Sequence, residues 1–193
     1  DQESHLAMVP ALARGLAAIA PTYYVTGNHE WAVGGVPRLK GILTECGVTV
    51  LSNQYVTLER NGDSLVLAGV DDPNGYADQK TPEELYGEIQ REAGDLCTIL
   101  LAHRNDRFDQ YAAAGYDLVI SGHAHGGQWR IPGILNGLYA PNQGLFPSYA
   151  GGQYFFDGTV FLVSRGLARE STRIPRIFNR PEVVVADLVP KSR

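Results

Sequence analysis

The chain has 193 residues, 44% of them hydrophobic and 19% charged, with a formal net charge of −5. That length suits a single domain over residues 1–193 with a core of its own, and the acidic balance argues against general nucleic-acid binding, which favours a basic surface. No apolar run approaches the ~20 residues needed to cross a bilayer, and the opening DQESHLAMVP has neither the basic start nor the apolar stretch of a signal peptide.

Residues 4–19, rich in Ala and Leu, predict a helix with Ser4 as N-cap and Pro21 just beyond its end. TYYVT (22–26), β-branched and aromatic and closed by Gly27, predicts a strand. A second helix is expected over 36–46, with Pro37 in its first turn and Gly47 after it. VTVLSN, QYVTLER and SLVLAGV read as three strands, the last two joined by a hairpin turn at Asn61-Gly62-Asp63. Thr81-Pro82-Glu83-Glu84 opens another helix, with an N-cap, a proline at the first position and acidic residues in the first turn. LCTILLA (96–102) is the continuous apolar run of a strand covered on both faces. A short helix over 106–114 and a second buried strand, DLVIS (117–121), follow. The stretch 126–153, rich in Gly, Pro, Asn and Tyr, reads as a long ordered loop with short strands. QYFFD, TVFLVS and EVVVADLV predict three final strands, the first two joined across Gly158. Cys46 and Cys97 read as two small buried residues and not as a disulfide framework. Helices between strands early, and strands crowded late, point to an α/β domain with a mixed sheet or two packed sheets.

Four of the five histidines fall in three short segments: TGNHE (26–30), LAHRND (101–106) and SGHAHGGQ (121–128). Each segment follows a predicted strand, and ligands of α/β sheets bind beyond the carboxyl ends of strands. A lone histidine at a strand end is more often a hydrogen-bonded polar residue than a ligand. Four converging on strand exits reverse those odds, whereas His5, at an exposed helix start, keeps the ordinary reading. Imidazoles suit Zn, Fe, Mn or Ni, and the amide oxygen of Asn28 can complete a shell. His123 and His125, two apart, point the same way in extended backbone and can grip one ion or two neighbouring ions. The zincin pattern fails because no histidine stands at position 33. Neither a G-x-S-x-G elbow nor a Walker A loop is present.

Gly27-Asn28-His29-Glu30, the isolated His103 and Gly122-His123-Ala124-His125, in that order, resemble the motifs of calcineurin-like metallophosphoesterases. The wording YYVTGNHEW, GVDDP, SGHAHGGQ, VSRG and RPEVVV is similar to their bacterial YkuE/YaeI-like phosphodiesterase branch. The resemblance implies a four-layer α/β/β/α sandwich of two mixed sheets flanked by helices. It implies hydrolysis of a small-molecule or lipid-like phosphoester by a water activated between two divalent metal ions (Mn, Fe, Zn or Ni). Asn28, His103 and His123 would hold one ion and His125 the other, with His29 as the general acid. The family's leading D-x-H and G-D-x-x-D motifs do not occur before GNHE. The expectation is therefore an N-terminally truncated domain, impaired in activity, holding one ion or none. An exposed sheet edge would then be open to self-association, and an export or membrane segment upstream is compatible with the sequence. The alternative is an inactive fragment that binds a partner or a single metal.

Asp71-Asp72 before Pro73 read first as turn formers; a role in supporting the ligands from behind or at the substrate rim comes second, with Asp72 a lower-ranked candidate for substrate binding. Arg165, Arg169, Arg173, Arg176 and Arg180 form a basic stretch, for which solvated or salt-bridged surface is the leading reading. Arg165, directly after a strand and before Gly166, is the best candidate there for a phosphate contact.

Overall fold

A computed structural model describes residues 6–76, 79–167 and 175–189. The elements, in chain order, are α1 (Val9–Ala17), β1 (Thr22–Tyr24), α2 (Asn28–Val33), α3 (Val36–Glu45), β2 (Val48–Val50), β3 (Gln54–Arg60), β4 (Asp63–Val70), α4 (Pro82–Glu92), β5 (Thr98–Ala102), α5 (Phe108–Ala114), β6 (Leu118–Ser121), β7 (Tyr139–Ala140), β8 (Gly144–Leu145), β9 (Gly152–Phe156) and β10 (Thr159–Val163). The six-stranded sheet has the order β3-β4-β5-β6-β10-β9. Its four inner strands, β4, β5, β6 and β10, are mutually parallel, and the edges β3 and β9 pair antiparallel. Their direction sends Asp71, His103, Gly122 and Ser164 out of the same edge of the sheet. A separate parallel pair, β1 and β2, forms a second layer, and β7-β8 is a small ribbon.

Local chemistry explains the elements. The Thr81 hydroxyl accepts from the Glu84 N–H at 3.2 Å while the Glu84 carboxylate accepts from the Thr81 N–H at 2.8 Å, a capping box that starts α4. The β3-β4 hairpin turns through Asn61 and Gly62, both at positive φ, as the two-residue turn requires. β4, β5 and β6 are apolar on both faces because both faces are covered. On one face Val66, Ala68 and Leu100 pack against Leu85 and Ile89 of α4 and Phe108 and Tyr111 of α5. On the other, Leu67, Ile99 and Leu118 meet Leu51, Tyr23 and Val25 of the second layer. Tyr24, beside Val48, turns the other way, toward Ala13 of α1 and Leu43 of α3. The order is thus helices, six-stranded sheet, two-stranded sheet, helices. The layers touch at Gly69, where an added Cβ would lie 2.4 Å from Leu51 Cβ and 2.7 Å from Val25 Cγ1.

Two expectations need correction, and one helix carried no expectation. Residues 182–189 form no strand, and Val183, Val185 and Val189 are exposed. A β-branched run becomes a strand only where an edge offers hydrogen bonds, and this one pairs with no described edge. Cys97 is exposed, because the strand begins after it at Thr98, whereas Cys46 is buried. Helix α2 was unanticipated: Glu30 Oε2 accepts from the Gly27 N–H at 2.8 Å, starting a helix at Asn28. The expected N-cap Ser4, and His5, lie outside the described residues. No described helix is long and apolar enough to cross a membrane.

Candidate functional site

Three loops meet at the carboxyl edge of the sheets. Asn28 comes from the turn after β1, His103 follows β5 and His123 follows β6. Asn28 Oδ1 lies 2.9 Å from His103 Nε2 and 3.2 Å from His123 Nδ1, and the two nitrogens are 3.2 Å apart. Donor atoms around one ion at ~2.1 Å stand about 3.0 Å apart in octahedral and about 3.4 Å apart in tetrahedral geometry. The triangle of an amide oxygen and two imidazole nitrogens therefore has the size of a metal-binding face. Among the described residues no group of three or more His, Cys, Asp or Glu side chains is arranged for a metal; the third donor here is an amide. Burial, followed by the charges of His103 and Arg104, pushes the His123 imidazole down to about 4. Burial likewise lowers His103, although Asp72 and Glu30 pull it back upward. Both rings are thus neutral near pH 7, the form whose lone pair can bind a cation.

His123 and His125 do not lie in extended backbone, which corrects the expectation that they point the same way. Both have positive φ, 66° and 48°, around a right-handed Ala124. The bend separates them. The His123 ring packs against His103, centroids 5.0 Å apart, while His125 faces His29 at 6.5 Å. Non-glycine residues in this region are strained, and the surroundings must hold them there. Part of that hold is Asn179, whose Nδ2 donates to the carbonyls of His125 at 2.7 Å and Gln128 at 3.1 Å. Burial, then the charges of Arg176 and His29, lowers His125 to about 4.

The donors are braced by a set of residues around Asp71 and Asp72, of which motif reading passed over Thr26, Lys40 and Arg104. Buried Thr26 donates to Asp71 Oδ1 at 2.7 Å, and its hydroxyl accepts from Trp31 Nε1 at 2.9 Å and the Asp72 N–H at 3.1 Å. It thereby ties the end of β1 to the end of β4. Lys40 Nζ donates to Asp71 Oδ2 at 2.6 Å. Asp72 accepts from Arg104 Nε at 2.7 Å and Nη2 at 3.0 Å, and Arg104 Nη1 lies 3.3 Å from His123 Nε2. Asp72 also accepts from the Asn74 N–H at 3.0 Å, closing the turn before Pro73. Burial raises the Asp72 carboxyl, but the hydrogen bonds from Arg104 and Asn74 and the nearby positive charge together bring it below the usual carboxylate range. With its side chain fully buried, Asp72 stands behind His123 as a support. Arg104 carried no motif signal beyond following His103. Thr26 and Lys40 carried none, because their importance lies in contacts 45 and 31 residues away.

Space matters at Gly27, whose backbone is ordinary extended chain but where a Cβ would lie 3.0 Å from the His103 ring. His29 and Glu30 line one end of an otherwise apolar groove of about 440 Å³ between α1, β1 and α3. His103 and Arg104 line a smaller pocket of about 200 Å³ with Tyr76, Lys80 and Arg107. Arg165 is engaged by the Glu182 carboxylate, and Arg180 is exposed. Arg169 and Arg173 lie outside the described residues.

The model of the calcineurin-like phosphoesterase family matches residues 2–127. The metallophosphoesterase YkuE of Bacillus subtilis is 32% identical over 96% of this chain and 62% of its own length. The phosphodiesterase YaeI of Escherichia coli is 30% identical over 90% of this chain and 60% of its own. The chain therefore spans about three fifths of these relatives. The structure of the NAD nucleotidase NadN of Haemophilus influenzae superposes with a TM-score of 0.58 at 18% identity, covering 86% of this chain and 34% of NadN, a likeness of fold.

Proposed function

Since the chain belongs to the calcineurin-like phosphoesterase family, which implies divalent metal ions, we propose that its strand-end cluster serves hydrolysis of a small phosphoester. The observation that carries this reading is the convergence of Asn28, His103 and His123 within 3.2 Å of one another from three loops. In this proposal those three residues hold one ion, and His125, turned away beside His29, holds a second. Bound divalent ions supply charge that neutralises phosphoryl oxygens and makes water a stronger nucleophile. The chain's own residues do the rest. Neutral imidazoles offer their lone pairs, Asp72 and Arg104 fix the ring plane of His123, and Gly27 leaves room for His103. His29, exposed and adjacent to His125, gives a proton to the leaving oxygen, a contribution of ~10²–10⁴-fold for a general acid.

Hydrolysis of bis-p-nitrophenyl phosphate with manganese tests the reading. Turnover is expected in the wild type, with loss of both metal and turnover in His103→Ala. His29→Ala is expected to keep its metal and lose most of its turnover. No turnover by a metal-loaded wild type would remove the hydrolytic function. A second reading, single-ion binding without turnover, is favoured by the neutral donors of the triad. One ion per chain in the metal-loaded protein supports it, and two ions support the dinuclear site. β1 pairs only with β2 among the described strands, and the apolar groove lies along it. Light scattering shows whether a second copy pairs along β1, as a dimer, or not, as a monomer.

A further inference from the structure

Arg176 stands out among the described arginines because two of its nitrogens, Nε and Nη1, are shielded from solvent and meet no acceptor. Its Nη2 donates to the carbonyl of Arg165 at 2.6 Å. A guanidinium keeps its charge at any ordinary pH, so shielded N–H groups without an acceptor are unfavourable until an oxyanion joins them. The described neighbours do not supply one. The Arg165 guanidinium is taken by Glu182, and Arg130 Nη2 donates to Asn136 at 2.6 Å. Among the described residues these three arginines thus share one carboxylate, and the Arg165 charge adds to burial in lowering Arg130 and Arg176.

This positive cluster sits at the edge that carries the imidazoles. The Ser164 N–H donates to the Ser121 carbonyl at 2.8 Å, setting the turn at 165–166 beside the start of Gly122-His123-Ala124-His125. Backbone bonds from Arg130 to Ile177 at 3.0 Å and from Ile177 to Gln128 at 3.2 Å, with the two from Asn179, pin 176–179 against the turn after His125. The Arg176 charge is accordingly felt at the His125 ring.

We propose that Arg176 is an oxyanion-binding residue that takes an anionic oxygen of a phosphoryl group beside His125, with Arg130 and Arg165 supplying the surrounding positive field. Hydrogen bonds from a guanidinium to phosphate are short and about twice as strong as neutral ones, and a shielded site strengthens them further. That the phosphoryl group belongs to the substrate rests on the hydrolytic reading above; the oxyanion site does not.

The probe is inorganic phosphate, titrated by calorimetry into protein treated with EDTA, with the Arg176 Nε resonance followed by nitrogen-15 NMR. Wild type is expected to bind phosphate and to shift that resonance. Arg176→Gln is expected to bind about 10- to 100-fold more weakly, Arg176→Lys to fall between, and the exposed Arg180→Gln to match wild type. Equal binding by wild type and Arg176→Gln, binding by neither, or an unmoved Arg176 resonance overturns the assignment. The resonance is read in wild type, so the test stands even if a variant fails to fold. Turnover of bis-p-nitrophenyl phosphate separates the two proposals. Arg176→Gln with wild-type phosphate affinity and KM in an active enzyme removes only the arginine site. Phosphate held by Arg176 in a metal-loaded protein that never turns over substrate removes only the hydrolytic reading.

Discussion

The six-stranded sheet and the two-stranded sheet contribute donors to one cluster but are supported very differently. Behind the larger sheet, α4 and α5 close a continuous core in which Val66, Leu85, Ile89, Leu100, Val119 and Phe161 have no exposed surface. Behind the smaller, the buried core shrinks to Ala13, Leu43, Cys46 and Val48, and a groove lined by Leu12, Leu16 and Val33 opens next to β1. His103 and His123 are thus mounted on the denser layer, and Asn28 and His29 on the thinner one. The site is a seam between a rigid half and a lightly packed half, and its geometry depends on whatever holds the two in register.

The sharpest way to break that comparison is a matched pair of core truncations. Leu100→Ala is expected to cost about 4 kcal/mol in denaturant unfolding and Leu43→Ala about 2, since a fully enclosed site cannot collapse around its cavity. Equal losses would mean that the layers are equally well supported. Asp72→Asn comes next, at about 3 kcal/mol, because it leaves the mostly buried Arg104 charge without its partner. The Asp72 pKa is lowered on folding, so its contribution is fully present above the ordinary carboxylate pKa and is lost as pH falls through the lowered value. The stability gap between wild type and Asp72→Asn should therefore be constant near neutrality and close below about pH 4. Gly69→Ala tests the seam directly. Its Cβ would collide with Leu51 and Val25, so a loss of about 2 kcal/mol is expected, and wild-type stability would show that the layers can part at no cost. Gly27→Ala should have the smallest effect on unfolding. It presses on the His103 ring and is expected to weaken manganese binding about tenfold, read by calorimetry. Unchanged metal affinity would separate the His103 ring position from metal binding.

Much of this was legible in the residues. The N-cap at Thr81, the turn at Asn61-Gly62 and the apolar run of β5 are local signals, and each element formed where it was expected. The histidines were legible because each follows a strand and parallel strands end at one edge. EVVVADLV misled because strand formation needs a partner edge as well as propensity. His123 and His125 misled because a two-residue spacing implies a common direction only when the backbone is extended, and here it turns through positive φ.

By itself the sequence determined which imidazole and amide groups follow strand ends, since those donors are written in adjacent residues. Tertiary structure alone decided which of them share a centre. It set His123 with Asn28 and apart from its near neighbour His125, put Asp72 behind Arg104, and left Arg176 with unsatisfied donors next to His125. The physical reason is that hydrogen bonds and ion pairs act over a few ångströms. Partners as far apart as Thr26 and Asp71, or Asn28 and His123, become neighbours only after the layers have packed.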